Sequence, residues 1–361
     1  MKRPLPQRIG DLLGRARTGR VDTRSYSAVP DDHNLDGGGE AAWFKPGEGY
    51  FEVRVNQLQL ASGREWFTRY DPMVLIAVDC VYGSKHISIP YVVGPALFES
   101  AGMQVGANAI IRDIRTAGPL PYLGSPIRIR IVLYKVVREN LISSMINIAE
   151  TLSGVLQPFA PRVVGESLSV VSNSVLSALE AVVGLQDAVV PVLAFAKDFG
   201  GGNESLKSLH IALMDRPSGE LTPDELWVTN GELRSGSSPG SLSRIVDHDF
   251  VHFSVNGSRS RDDVSLLPFY SIWEQALRHA LEPGHPQWSI AKSHMVALYS
   301  AMATSPDLTR GQAGELLDGF GAELQRHRKR ALDLAKLGAR PDGGAKEGVE
   351  QMLELLDLSE H

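Results

Sequence analysis

The chain has 361 residues, 43% hydrophobic and 22% charged, with a formal net charge of -6. That is length for two or three packed units, excludes disorder for the bulk of the chain, and supplies no overall attraction to nucleic acid. Its single cysteine, Cys80, excludes an intramolecular disulfide framework, so a reducing, cytoplasmic setting is the expectation.

Residues 1–47 combine Lys2, Arg3, Arg8, Arg15, Arg17 and Arg20 with Ser, Asp and the run Gly37-Gly38-Gly39, and read as a flexible arm. Leu5 to Leu13 is broken by Pro6, Gln7, Arg8 and Asp11, so it lacks the apolar stretch of a secretory signal.

From Tyr50 the pattern changes. Phe51, Val53 and Val55 alternate with Glu52, Arg54 and Asn56, the period of a half-buried strand. Further strands are expected over 65–70, 73–82, 86–93, 109–116 and 127–136, separated by turns such as Gly83-Ser84 and Gly94-Pro95. A short helix is expected over Pro95 to Ala101. Such short strands at this spacing predict an antiparallel β-sandwich or barrel over 48–138.

Residues 139–199 carry few charges. Leu141, Met145, Ile148, Leu152 and Val155 follow a four-three spacing, as do Val164, Leu168, Val171, Val175, Ala178, Val182 and Leu185, with Pro158 and Pro161 between them. The economical reading is a helical hairpin whose serine-rich outer face is covered by this chain or by a second subunit. The rival is conditional contact with lipid. No run reaches the ~18 apolar residues of a permanent transmembrane helix.

Past Gly200-Gly201-Gly202, residues 203–258 form a second β region, with strands at 209–214, 225–229 and 244–255 and a tight turn at Asn230-Gly231. Residues 265–338 turn helical: Tyr270 to Ala280, Gln287 to Ala303 and Arg310 to Leu337, the last capped by Thr309. A linker follows, then a short acidic amphipathic helix within 339–361. Its apolar residues Val349, Met352, Leu353, Leu355 and Leu356 suit a groove on a partner or on the chain's own body. The whole is α+β: a β-sandwich, a central low-charge helical hairpin, a second small β region and C-terminal helices.

Chemistry is sparse. His248, Asp249 and His252, beside Asp247, are of metal-binding type. On a strand, however, His248 and His252 share a face that Asp249 does not, and the spacing fits no metal motif. Cys80 sits among Val74, Ile76 and Val78 as a small hydrophobe. Ser238, in Gly236-Ser237-Ser238-Pro239-Gly240, lies in a loop context rather than at a nucleophile elbow. Arg259, Arg261, Asp262 and Asp263 read as a solvated cluster.

No cofactor is called for. The expectation is a non-enzymatic interaction or assembly protein, self-associating or binding a protein partner. A regulated membrane-perturbing effector and a metal-dependent hydrolase using His248 and His252 are the alternatives.

Overall fold

The computed structural model describes residues 26–37, 43–61, 64–65, 68–94, 108–137, 189–215, 221–282 and 284–338. The chain is mixed α+β and divides into two compact units, Met1–Arg259 and Ser260–His361.

The first unit is built from strands β1 (Tyr26–Ala28), β2 (Trp43–Phe44), β3 (Tyr50–Gln59), β4 (Arg64–Glu65), β5 (Thr68–Tyr82), β6 (Lys85–Val93), β7 (Asn108–Pro121) and β8 (Ile127–Val137). The series continues through β9 (Val189–Phe199), β10 (Leu206–Lys207), β11 (Leu209–Met214), β12 (Leu226–Thr229), β13 (Glu232–Ser235), β14 (Ser243–Arg244) and β15 (Phe250–Ser258). One large sheet runs β1-β11-β15-β3-β7. The other runs β6-β5-β8-β9, with β4 folded back on β5. Two smaller sheets are β2-β10 and β12-β13-β14. Every strand pair within these sheets is antiparallel.

Alternation explains the core. Val53, Val55, Ile211, Val251 and Phe253 from the first sheet and Val74, Ile76, Val78, Ile129, Ile131 and Phe195 from the second belong to one apolar cluster. Each such side chain contributes about 1.5–3 kcal/mol on burial. β5 and β8 are buried on their other face as well, at Met73, Leu75, Ala77, Val132, Tyr134 and Val136. That two-sided burial is why β5 reads as an almost unbroken apolar run.

Several expectations change. The 1–47 arm is not wholly a tail: β1 pairs with β11, and Phe44 of β2 is buried. Phe44 packs so closely that a Cβ on Gly257 would lie 1.8 Å from its ring. An edge strand draws its pairing energy from a distant strand's free ladder, which local sequence does not display. Of the strands expected at 65–70 and 73–82, residues 68–70 join the second through Pro72 in β5, whereas Glu65 belongs to β4, which pairs back on β5. Residues 189–199, attached to the helical hairpin in the sequence reading, form β9 instead, and Val189 pairs with Val136 of β8. Small apolar residues there fit either state, and the open edge of β8 decides. Residues 138–188 and 95–107 lie outside the described residues.

The second β region divides. β11 and β15 enter the first large sheet, whereas β12, β13 and β14 form a separate one whose Leu226, Val228 and Leu233 pack with Ala212, Met214 and Phe250. Asn230 and Gly231 both take positive φ, at 53° and 73°, as a two-residue hairpin turn requires.

The second unit contains α1 (Tyr270–Leu281), α2 (His285–Ala303) and α3 (Arg310–Gly338). Trp273, Ala276 and Ala280 form the inner stripe of α1, and Trp273 stacks on Phe320 of α3 with centroids 4.6 Å apart. Thr309 caps α3, its Oγ accepting the amide of Gln312 at 3.3 Å. Among the described residues, no helix is long and apolar enough to cross a membrane.

Candidate functional site

His252 lies mid-strand on β15 and is fully buried. Its Nε2 is 3.0 Å from Nδ1 of His210 on β11, so one imidazole donates to the other. Burial first, then the neighbouring His210, hold His252 well below the usual histidine range, which keeps it neutral. Its Nδ1 is buried without a hydrogen-bond partner.

His248 and Asp249 are held elsewhere. His248 Nδ1 is 3.2 Å from the Asp215 carbonyl. Asp249 accepts the Ala61 amide at 2.7 Å and stands 3.7 Å from Lys135 Nζ. The structure therefore brings His252 to His210 rather than to the other two. Among the described residues, no group of three His, Cys, Asp or Glu side chains could hold a metal.

A second buried polar pair, Asp79 and Arg130, spans β5 and β8 at 3.3 Å, with both side chains almost fully buried. Burial pulls Arg130 below the ordinary arginine value while Asp79 opposes that shift. Cys80 on the opposite face is pushed up to about 12 by burial and by Asp79, so its thiol is inert. Ser238 is exposed and bonds Ser241 within a single 3-10 turn.

Arg261 corrects the reading of a solvated cluster. It is 8% exposed, bonds Asp263 at 2.6 Å and donates to the Asp307 carbonyl at 2.9 Å, while Gln312 bonds both its amide and its carbonyl. Its partners across the helical unit were invisible to local spacing.

An open apolar feature lies in that helical unit. A cavity of about 310 Å³ between the end of α2 and the start of α3 is lined by Tyr299, Met302, Ala303, Leu308, Thr309, Arg310, Ala313, Gly314 and Leu317. Beside it, Val296 and Tyr299 are 67% and 57% exposed. At Gly311, Gly314 and Gly321 an added Cβ would meet nothing within 4 Å. The first turn of α3 carries no acidic residue, so its positive end is not neutralised there.

No family model, curated protein or solved structure matches this chain.

The groove is mainly apolar, with Thr309 and Arg310 at the start of α3 among its lining. Sequence reasoning missed it, although two signals were present. The large apolar residues of α2 extend around the helix instead of forming one stripe, and α3 carries glycines in its interior at a cost of about 1 kcal/mol each relative to alanine. Val349, Met352, Leu353, Leu355 and Leu356 lie outside the described residues.

Proposed function

We propose that the chain is an interaction or assembly protein whose helical unit receives an apolar segment in the α2–α3 groove. On this reading the two large sheets, as a β-sandwich, are the frame, and the terminal segments are the connecting parts. One observation carries it: Val296 and Tyr299 stand in solvent beside an open apolar groove, where burial of a large side chain on binding contributes about 1.5–3 kcal/mol. Among the described residues, the Asp79–Arg130 pair is almost fully buried and so closed to a substrate, which supports binding over catalysis.

Light scattering on the full chain, combined with affinity capture, tests the proposal. The expected result is a mass above that of the monomer, or a retained protein, lost on Tyr299→Glu with the fold intact. A strict monomer that retains nothing overturns it.

A further inference from the structure

We infer that Asn230 is a site of spontaneous covalent modification, its side-chain amide being converted to a carboxylate through the Gly231 nitrogen, at a rate that Asp36 restrains. This chemistry is independent of whatever the α2–α3 groove receives.

The sequence contains two Asn-Gly dipeptides, Asn230-Gly231 and Asn256-Gly257. In such a pair the backbone nitrogen of the glycine attacks the asparagine Cγ. A succinimide ring forms, and the side-chain nitrogen leaves as ammonia. Water then opens the ring at either carbonyl, giving aspartate or isoaspartate, so the net change is amide plus water to carboxylic acid plus ammonia. Glycine favours the step because it has no side chain to obstruct the ring and tolerates the backbone angles that ring closure needs.

Asn230 is placed for this reaction. It is exposed at the tip of the β12–β13 hairpin, with its side-chain nitrogen 3.4 Å from Thr229 Oγ1 in the same turn, so water reaches the amide.

Asp36 stands over the attacking nitrogen. Asn34 bridges Val228 of β12, and the Leu35 amide donates to the Val228 carbonyl at 2.9 Å. That pairing carries the Asp36 carboxylate to the turn, where it accepts the Asn230 amide at 2.6 Å and the Gly231 amide at 2.7 Å. The glycine nitrogen attacks after giving up its proton, and a carboxylate beside it opposes the negative charge that remains. Holding that proton in a charge-assisted hydrogen bond slows the step by about 10–150-fold.

The second dipeptide is an internal reference. Asn256 and Gly257 lie in the β15–β3 ladder opposite Glu52 and Phe51. The Gly257 amide donates to Ser208 Oγ at 2.8 Å, and the Phe44 ring packs against Gly257. Ring closure there requires β15 to leave its partner strand.

Conversion at Asn230 undoes the contact that restrained it. Aspartate places a second carboxylate beside Asp36, and isoaspartate inserts an extra main-chain carbon into a two-residue turn closed by the Thr229 and Glu232 rung. Either product loosens Asp36 from the turn.

The test incubates the full-length protein in mildly alkaline, ammonia-free buffer and follows conversion at each dipeptide by peptide mass spectrometry. Wild type, Asp36→Ala and Asp36→Asn are compared, with denaturant-unfolded wild type as the rate standard. The unfolded chain is expected to convert at both dipeptides, and folded wild type to convert at Asn230 more slowly than that standard while Asn256 stays intact. Asp36→Ala is expected to raise the Asn230 rate about tenfold or more with circular dichroism unchanged. Asp36→Asn, which keeps an acceptor without the charge, falls between. No conversion at Asn230 in any folded protein overturns the site. Conversion in both Asp36 variants that is no faster than in wild type overturns the restraint, and equal conversion at Asn230 and Asn256 in folded wild type overturns selection by the fold.

Discussion

The two units treat polar and apolar groups in opposite ways. The strand unit buries polar side chains inside its sheets: Asp79, Arg130, His252, Ser254, Asn56 and Gln59 are all under 5% exposed. The helical unit buries four among its described residues, Arg261, Thr309, Gln312 and Arg328, and each of them holds a helix end or a loop. Arg328, for example, donates to the carbonyls of Glu282 and Gly284. Conversely, among the described residues six of the ten exposed large hydrophobic ones, Val296 and Tyr299 among them, lie in the smaller helical unit. The strand unit thus holds buried polar side chains within its sheets, whereas the helical unit, with an ordinary core, leaves apolar surface open.

The strongest way to break that contrast is to disturb the sealed pair. Asp79→Leu alone strands a buried guanidinium and is expected to cost about 3–5 kcal/mol in denaturant unfolding, whereas Asp79→Leu with Arg130→Met restores most of the loss. If the single variant is near wild type, the pair is not sealed.

In the helical unit the comparable loss comes from apolar packing. Trp273→Ala removes the ring stacked on Phe320 and is expected to cost about 3–5 kcal/mol, read by the loss of helical circular dichroism.

Acid separates the units next. His252 has its folded-state value depressed, so an unfolded chain binds a proton below pH ~6.5 that the folded chain refuses. Its contribution is intact above that pH and is lost as pH falls toward the folded value, at about 1.4 kcal/mol per pH unit. His252→Leu is expected to flatten the dependence of strand-unit stability on pH between 6.5 and 5. An unchanged slope would place the titration elsewhere.

The smallest effect tests a helix end. Thr309→Ala removes the cap of α3 and is expected to cost about 1 kcal/mol, measured as a lower midpoint of helical unfolding.

Legibility in the sequence followed the range of the interactions. α1, α2, α3 and the Thr309 cap could be read because helical periodicity and caps are set within a few residues. Strand positions in the first unit could largely be read from alternation, but β1 and β9 could not, because each exists through an edge offered by a distant strand. His252 was identified as notable for the wrong companions. Its neighbour His210 stands across a strand pair, forty-two residues away in sequence, and only register places them together. The groove was missed because its walls are apolar residues whose significance lies in what fails to cover them.

One detail of the second large sheet bears on how the chain tolerates change. Val136 and Val189 sit on the same rung, so the backbone leaves the sheet and re-enters it at a single point. In topological terms β8 and β9 are sequential antiparallel neighbours whose long connection departs and returns at one rung, and the described ladder from β5 through β8 to β9 is complete without a pairing from the residues between them.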